Sequence, residues 1–317
     1  MTLPPSKSRW NWRSRAARGL LWQVVVLCAL ALTLWFLAHN TAVNMEARGI
    51  QSGFDFLVQP AGFDIGETVF EFDSESPYWR AFLAGVFNTL RVAITGILLT
   101  TLLGTLLGIG RTSHNLLVRT VCTVYVEIFR NIPVLLQLLM WYLVLAVALP
   151  PFDAPYNWGV FQLDKNGLAW MVGTEGDTLF TFSPEFLAVL LGLTLYTASF
   201  VAEVVRAGIT SVPQGQGEAA ASLGLSRGQT MRYVMLPQAL RVIIPPMTNQ
   251  YLNLTKNSSL AVAIGYPDVV SIANTALNQT GRAVECIAVI MTVYLITSLA
   301  TSLFMNWYNA RAALKER

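Results

Sequence analysis

Two Glu-x-x-Arg pairs, Glu127 with Arg130 and Glu203 with Arg206, and one lysine, Lys256, sit within or at the ends of long apolar runs. Acid and base three residues apart share one helical face, so each pair can neutralise itself. Lys256 is surrounded by Asn249, Gln250, Asn253, Thr255, Asn257, Ser258 and Ser259. A lysine near a bilayer centre costs about 2.5 to 3.5 kcal/mol, so it must face a partner or a wet cavity. Asn249, Asn253, Lys256, Ser258 and Ser259 together offer a cation and hydrogen-bonding groups suited to a carboxylate. Two readings of each feature stand side by side. The Glu-Arg pairs are either interfacial clamps or parts of a gate or subunit contact. Lys256 is either part of a polar path or a quiet partner of Glu203 or another acid.

Other chemistry is missing from the sequence. There is no GxxxxGK[ST] phosphate loop, no HExxH zinc pattern and no GxSxG nucleophile elbow. His39 and His114 are the only histidines, and Cys28, Cys122 and Cys286 are far apart within apolar runs, without CxxC spacing. The cysteines read as buried small hydrophobes, and neither a catalytic set nor a metal site is expected. No basic face suits a nucleic acid.

The elements that position these residues are membrane spans. Of the 317 residues 54% are hydrophobic and 12% charged, about half the charge of a soluble domain. Six apolar segments run at about 20–38, 83–110, 117–149, 184–206, 237–264 and 283–306. Lys7, Arg9, Arg13, Arg15 and Arg18 precede the first with no acid among them. From His39 to Arg80 there are seven acids against Arg48 and Arg80, and from Pro150 to Glu185 five acids against Lys165. By the positive-inside rule both termini are cytoplasmic, with Arg111, Arg119, Arg227, Arg232, Arg241, Arg311, Lys315 and Arg317 inside. The first segment is too long for a signal peptide and reads as an uncleaved anchor. Gly96, Thr100, Gly104 and Gly108 line one face of the second, a surface for close helix packing. Pro245 and Pro246 are expected to interrupt the fifth near its cytoplasmic end, and polar, broken helices mark transport paths.

Between the fourth and fifth segments lies a cytoplasmic loop. Pro213 to Gly217 reads as a turn, Glu218-Ala219-Ala220-Ala221-Ser222-Leu223 as a short helix stopped by Gly224, and Ser226 as the start of a second helix ending at Pro237.

The spacing Glu218-Ala219-Ala220, Gly224, Val234, Leu236-Pro237 resembles the EAA signature loop of permease subunits of binding-protein-dependent ABC importers. Valine stands at 234 where isoleucine is usual. "AEVVRAGITSVPQGQGEAAASLG", "FRNIPVLLQL" and "LPQALRVIIPPMTNQYLNLTKNSSLAVAIG" resemble the polar amino-acid branch, with Gly217 where many relatives carry tryptophan. The long acidic outer loop is similar to that of the first permease of general L-amino-acid importers and their glutamate, glutamine and aspartate relatives. The resemblance implies an all-α polytopic permease of the type I importer fold. Its parts are a basic tail (1–19), an extra helix (20–38), an acidic periplasmic loop (39–80), a five-helix core (81–306, coupling loop about 207–236) and a second tail (307–317). It implies that residues 217–224, from Gly217 through Glu218, Ala219, Ala220, Ala221, Ser222 and Leu223 to Gly224, form a coupling helix against a cytoplasmic ATPase, with Glu218 in the first turn at the positive end of the helix dipole.

The implied partners are a sister permease, two copies of that ATPase, which hold ATP and Mg, and a periplasmic amino-acid-binding protein. No cofactor is expected on this chain, which would be a non-catalytic subunit of the bacterial inner membrane working by alternating access. The alternatives are a permease for another small polar solute, such as an opine or a cationic amino acid, and a secondary transporter.

Overall fold

The computed structural model describes residues 15–49, 51–172 and 177–312. Lys7, Arg9, Arg13, Glu175, Lys315 and Arg317 lie outside them. The chain divides into two units, residues 1–53 and 54–317. The first contains helix α1, Arg15–Ala47, about 50 Å long at 1.5 Å per residue. It outruns the expected 20–38 because no proline or glycine intervenes between His39 and Ala47. Gly49, at φ 65°, takes the chain out of it.

The second unit is built on helices α2 (Tyr78–Arg111), α3 (Leu116–Asn131), α4 (Val134–Ala148) and α5 (Pro184–Thr210). A short α6 (Gln214–Ser222) and α7 (Arg227–Thr230) follow. Helices α8 (Leu236–Asn257), α9 (Val269–Thr280) and α10 (Ala283–Ala312) complete it. Among the described residues four helices are long and apolar enough to cross a membrane, or six if each of two bent pairs counts as one span.

One bent pair is the run 117–149, expected as a single segment. It is an elbow of α3 and α4, bent by 104°. Proline forces its predecessor out of the helical region, and Ile132 sits at ψ 127°. The buried Gln137 amide holds the corner, donating at 2.9 Å to the carbonyls of Phe129 and Ile132 that the break leaves open. The other pair bends by 50° between residues 264 and 269, and the bend is not at the prolines. Pro245 and Pro246 stand inside an unbroken α8. The turn comes at Gly265, φ 81°, after a 3₁₀ stretch Ser258–Ile264, and Asp268 then caps α9 by accepting from the Ser271 N–H at 2.8 Å.

The loop between α4 and α5 folds into an antiparallel sheet in the order β1 (Tyr156–Trp158), β2 (Phe161–Asp164), β3 (Gly167–Val172), β4 (Asp177–Phe182). This sheet adds to the expected helical architecture. Residues 54–77 form a strap over the same end of the bundle. There Phe56, Tyr78, Phe82, Ile272, Ala276 and Cys286 share one core. Cys286 is buried as expected, but Cys28 is exposed, as is nearly all of α1, and Cys122 is half-buried against Gly110 of α2.

Helix α2 packs along α5 through its small face. Gly96, Thr100, Gly104 and Gly108 are all buried, and Thr100 Oγ1 donates to the Thr194 carbonyl at 3.5 Å. A Cβ at Gly104 would meet Val201 Cγ1 at 2.5 Å, and one at Gly108 would meet Val205 Cβ at 2.6 Å. Alanine in an open helix gains roughly 0.5 to 1 kcal/mol over glycine, whereas overpacking costs about 1 to 3 kcal/mol. Gly104→Ala should therefore lower the melting temperature of the purified permease. Gly228→Ala, where a Cβ meets nothing within 4 Å, should leave it unchanged or raise it. Equal melting temperatures for the two variants would contradict the close packing.

Candidate functional site

At the end of the bundle opposite the strap, α5 runs out at Thr210 and three residues lead into α6. The helix begins at Gln214, so the stretch Pro213 to Gly217 is its N-cap and first turn rather than a separate turn. Proline at 213 ends one helix and starts the next, and Gln216 N–H bonds back to its carbonyl at 3.0 Å. Glu218 is consequently the fifth helical residue, past the first turn, and the dipole role expected for it does not apply.

Gly224, at φ 78°, closes α6 as expected. Its N–H reaches the Ala221 carbonyl at 2.9 Å and the Leu225 N–H reaches Ala220 at 3.1 Å. This double bond-back needs a left-handed residue between its arms. Ser226 restarts the chain with a reciprocal cap, its hydroxyl accepting from the Gln229 N–H while the Gln229 side chain accepts from Ser226 N–H. The second helix does not end at Pro237. A π turn over Met231–Met235, with the Leu236 N–H bonded to the Met231 carbonyl, leads directly into α8. Proline lacks an N–H and crowds the carbonyl four residues back, and the wider turn gives it room.

One side of α6 is fixed. Ala220 is buried and Val212 joins a core with Val205, Ala239, Ile243 and Met305. Gln238 of α8 donates to Gln216 at 3.4 Å. The other side is bare: Glu218, Ala219, Ala221, Ser222 and Gly224 are exposed and Leu223 is 82% exposed. Gly217 is half-buried, and a Cβ there would meet nothing within 4 Å. Its missing side chain leaves open space there rather than serving packing within the chain.

About three turns before α6, the expected ion pairs are rearranged. Glu203 pairs with Arg206 at 2.5 Å as expected, and also with Arg111 of α2. Arg130 lies 3.9 Å from Glu203, with its guanidinium 5.2 Å from the centre of the Phe200 ring. Glu127 is left exposed on the outer face of α3 and forms no ion pair among the described residues. The pair Glu127–Arg130 is thus not made. One carboxylate instead gathers three arginines from α2, α3 and α5, because Arg130 emerges where α3 crosses α5. Arg111 was visible in the sequence only as a flanking charge; nothing local links it to a residue 92 positions away.

On α8, Asn249, Asn253 and Lys256 are exposed. Spacings of four and three put them on one face, continued by the exposed Val242, Pro245 and Pro246. Lys256 makes no ion pair among the described residues, and Glu203 is taken by arginines. Ser258 and Ser259 are turned back, their hydroxyls donating to the Thr255 and Lys256 carbonyls at 2.7 and 2.8 Å.

The strapped end carries polar residues that sequence reasoning missed. Glu67 pairs with Arg91 at 2.5 Å and accepts from the Ser183 N–H at 3.3 Å. Asn88 donates to the Glu67 and Pro267 carbonyls at 2.8 and 3.0 Å. Burial raises the Glu67 carboxyl above its ordinary range, opposed by Ser183 and Arg91. Asp55 accepts both terminal nitrogens of Arg282, at 2.6 and 2.9 Å. In sequence these were a count of acids in an outer loop.

Residues 96–313 match the family described as the binding-protein-dependent transport system inner membrane component. The chain is 40% identical to the general L-amino acid transport system permease protein AapQ of Rhizobium johnstonii, across 100% of this chain and 98% of that protein. It is 35% identical to the glutamate/glutamine/aspartate/asparagine transport system permease protein BztB of Rhodobacter capsulatus, across 95% of each. A crystal structure of an amino acid ABC transporter with histidines overlays 74% of this chain and 95% of its own with a TM-score of 0.58 at 27% identity. In this family ATP is hydrolysed by a separate subunit. The chain belongs to the binding-protein-dependent transport system inner membrane component family and is the permease subunit of an ABC importer.

Proposed function

We propose that this permease moves polar L-amino acids, glutamate, glutamine, aspartate or a broader range, across the bacterial inner membrane by alternating access. The single observation that carries the coupling part is α6, one side held by the buried Ala220 and the Gln216–Gln238 bond and the other bare, with its end set by Gly224. The names of the relatives AapQ and BztB support the substrate class. The termini and α6 are cytoplasmic; the strap and the β1–β4 sheet are periplasmic. This assignment follows from the arginines clustered beside α6 and the acids of residues 39–80.

In this reading α6 docks on one of two ATPase copies that hold ATP and Mg, and a periplasmic binding protein delivers the amino acid to the strapped face. A sister permease completes the pathway. Nucleotide favours one ATPase arrangement over another, and only that difference in binding can shift the permease between outward and inward states. The network at Glu203 makes the end of α5 move with α2 and α3, so displacement of α6 reaches three helices together.

For the pathway the exposed face of α8 supplies Lys256 to the substrate carboxylate, with Asn249 and Asn253 as amide partners. Ser258 and Ser259 shape the backbone at that point, since their hydroxyls are already engaged.

Leu223→Asp should fold normally, because the side chain is 82% exposed, yet weaken ATPase association. Loss of a central interface anchor costs about 2 kcal/mol or more, or roughly a thirtyfold drop in affinity by co-purification titration. Unchanged association and stimulation would rule out α6 as the contact. A charge-assisted hydrogen bond is worth about 1.5 to 3 kcal/mol, so Lys256→Ala should raise the substrate concentration for half-maximal uptake at least about tenfold. ATPase association should stay intact. Uptake at the wild-type level with normal insertion would remove Lys256 from the pathway.

A further inference from the structure

The β1–β4 sheet has one aromatic face. Directly opposed residues in antiparallel strands lie on the same side, and Trp158 faces Phe161, Phe161 faces Trp170 and Trp170 faces Phe180. These four form a single row across all four strands. A second row on the same face, two residues nearer α5, holds Tyr156, Leu163, Leu168 and Phe182. The reverse face carries Asn157, Gln162, Asp164, Ala169 and Thr181.

The two rows differ in their surroundings. Phe182 is half-buried, packed 5.2 Å from Phe186 and under the Arg91 guanidinium at 4.7 Å. The outer row is open: Trp158 is 61% exposed, Phe180 50% and Trp170 42%. Four large aromatics in one exposed line are costly in water, and each buries 150 to 250 Å² when covered.

We propose that this outer aromatic row is a membrane-interface anchor that rests in the lipid headgroup layer. Its height supports this. Glu185 and Glu203 bracket the apolar part of α5, 18 residues or about 27 Å apart, close to the roughly 30 Å hydrocarbon layer. Glu185 marks the boundary. From it the chain rises about 1.5 Å per helical residue and about 3.4 Å per strand residue. The row at Phe180 therefore stands no more than about 15 Å along the chain from that boundary, and nearer with any tilt of the strands. Being a cross-strand row, it holds Trp158, Phe161 and Trp170 at the same level as Phe180.

Continuity supports it as well. Phe180 lines a cleft of 650 Å³ together with Phe87, Leu90 and Ile94 of α2. Ile94 begins the exposed stripe Leu98, Leu102 and Leu106 that runs down that spanning helix. Glu67, Thr68, Arg91 and Thr181 line the same cleft, so the apolar stripe of the span meets the sheet at Phe180 beside a polar rim. Tryptophan and tyrosine are the residues enriched at membrane–water interfaces, an apolar ring with a polar edge. A sheet anchored there braces the strap, whose Glu67 bonds the Ser183 N–H one residue beyond β4.

The test compares wild type with Trp158→Phe/Trp170→Phe in the assembled importer, reconstituted in phosphatidylethanolamine–phosphatidylglycerol vesicles. The emission lost in the variant belongs to the two indoles. That difference emission should be quenched several-fold more by a headgroup-proximal nitroxide lipid than by one carrying its nitroxide deep in the acyl chain. It should be shielded from aqueous acrylamide. If neither nitroxide lipid quenches it, or acrylamide reaches it freely, the anchor does not exist. Shielding that arises only on adding the binding protein would equally overturn the proposal and make the row a protein contact. Should the double variant fail to assemble, single substitutions at Trp158 and Trp170 give the same comparison one indole at a time.

Discussion

One carboxylate, Glu203, holds together the end of the bundle from which α6 departs. Arg111, Arg206 and Arg130 converge on it from three helices. Its side chain is 29% exposed, so each pair is worth at most about 1 kcal/mol in the manner of surface ion pairs. Its effect is geometric. Without the carboxylate three guanidinium groups would stand close together without compensation, which would loosen the contact of α2, α3 and α5 at this end. With it, the end of α5, three residues before α6, is tied to α2 and α3.

The same economy appears where α2 meets α5. In lipid, apolar burial no longer drives helices together, and contact depends on shape. Gly104 and Gly108 remove the side chains that would hold the helices apart, and Val201 and Val205 fill the space. Glycine stripe and arginine cluster act on the same helix pair, one along its length and one at its end. At the opposite end Glu67 and Arg282 perform a similar service for the strap.

Features governed by a few adjacent residues were legible from the sequence. Gly224 as the stop of α6 was one, because a left-handed residue after an alanine-rich turn has few other uses. The packing face of α2 was another, since its spacing of four is written in the chain. Longer-range features were not. The elbow at Pro133 hid within a segment read as one span, where hydropathy does not register direction. Pro245 and Pro246 suggested a break that α8 does not have, and the real bend falls at Gly265, a residue with no such signature. The aromatic row of the sheet depends on the register of four short strands. Arg130 chose Glu203 over the nearer Glu127 because α3 crosses α5 there, a tertiary fact.

The central claim is that α6 is the surface through which a nucleotide-binding partner acts on this permease. The most direct measurement is site-specific cross-linking from a photoreactive group placed at Ala219 on the bare side of α6, in the assembled importer, with and without ATP. The account predicts cross-links to the ATPase subunit in both states, with attachment positions that shift when ATP binds. Cross-links to lipid alone, or an ATPase captured instead from the strapped face, would contradict it.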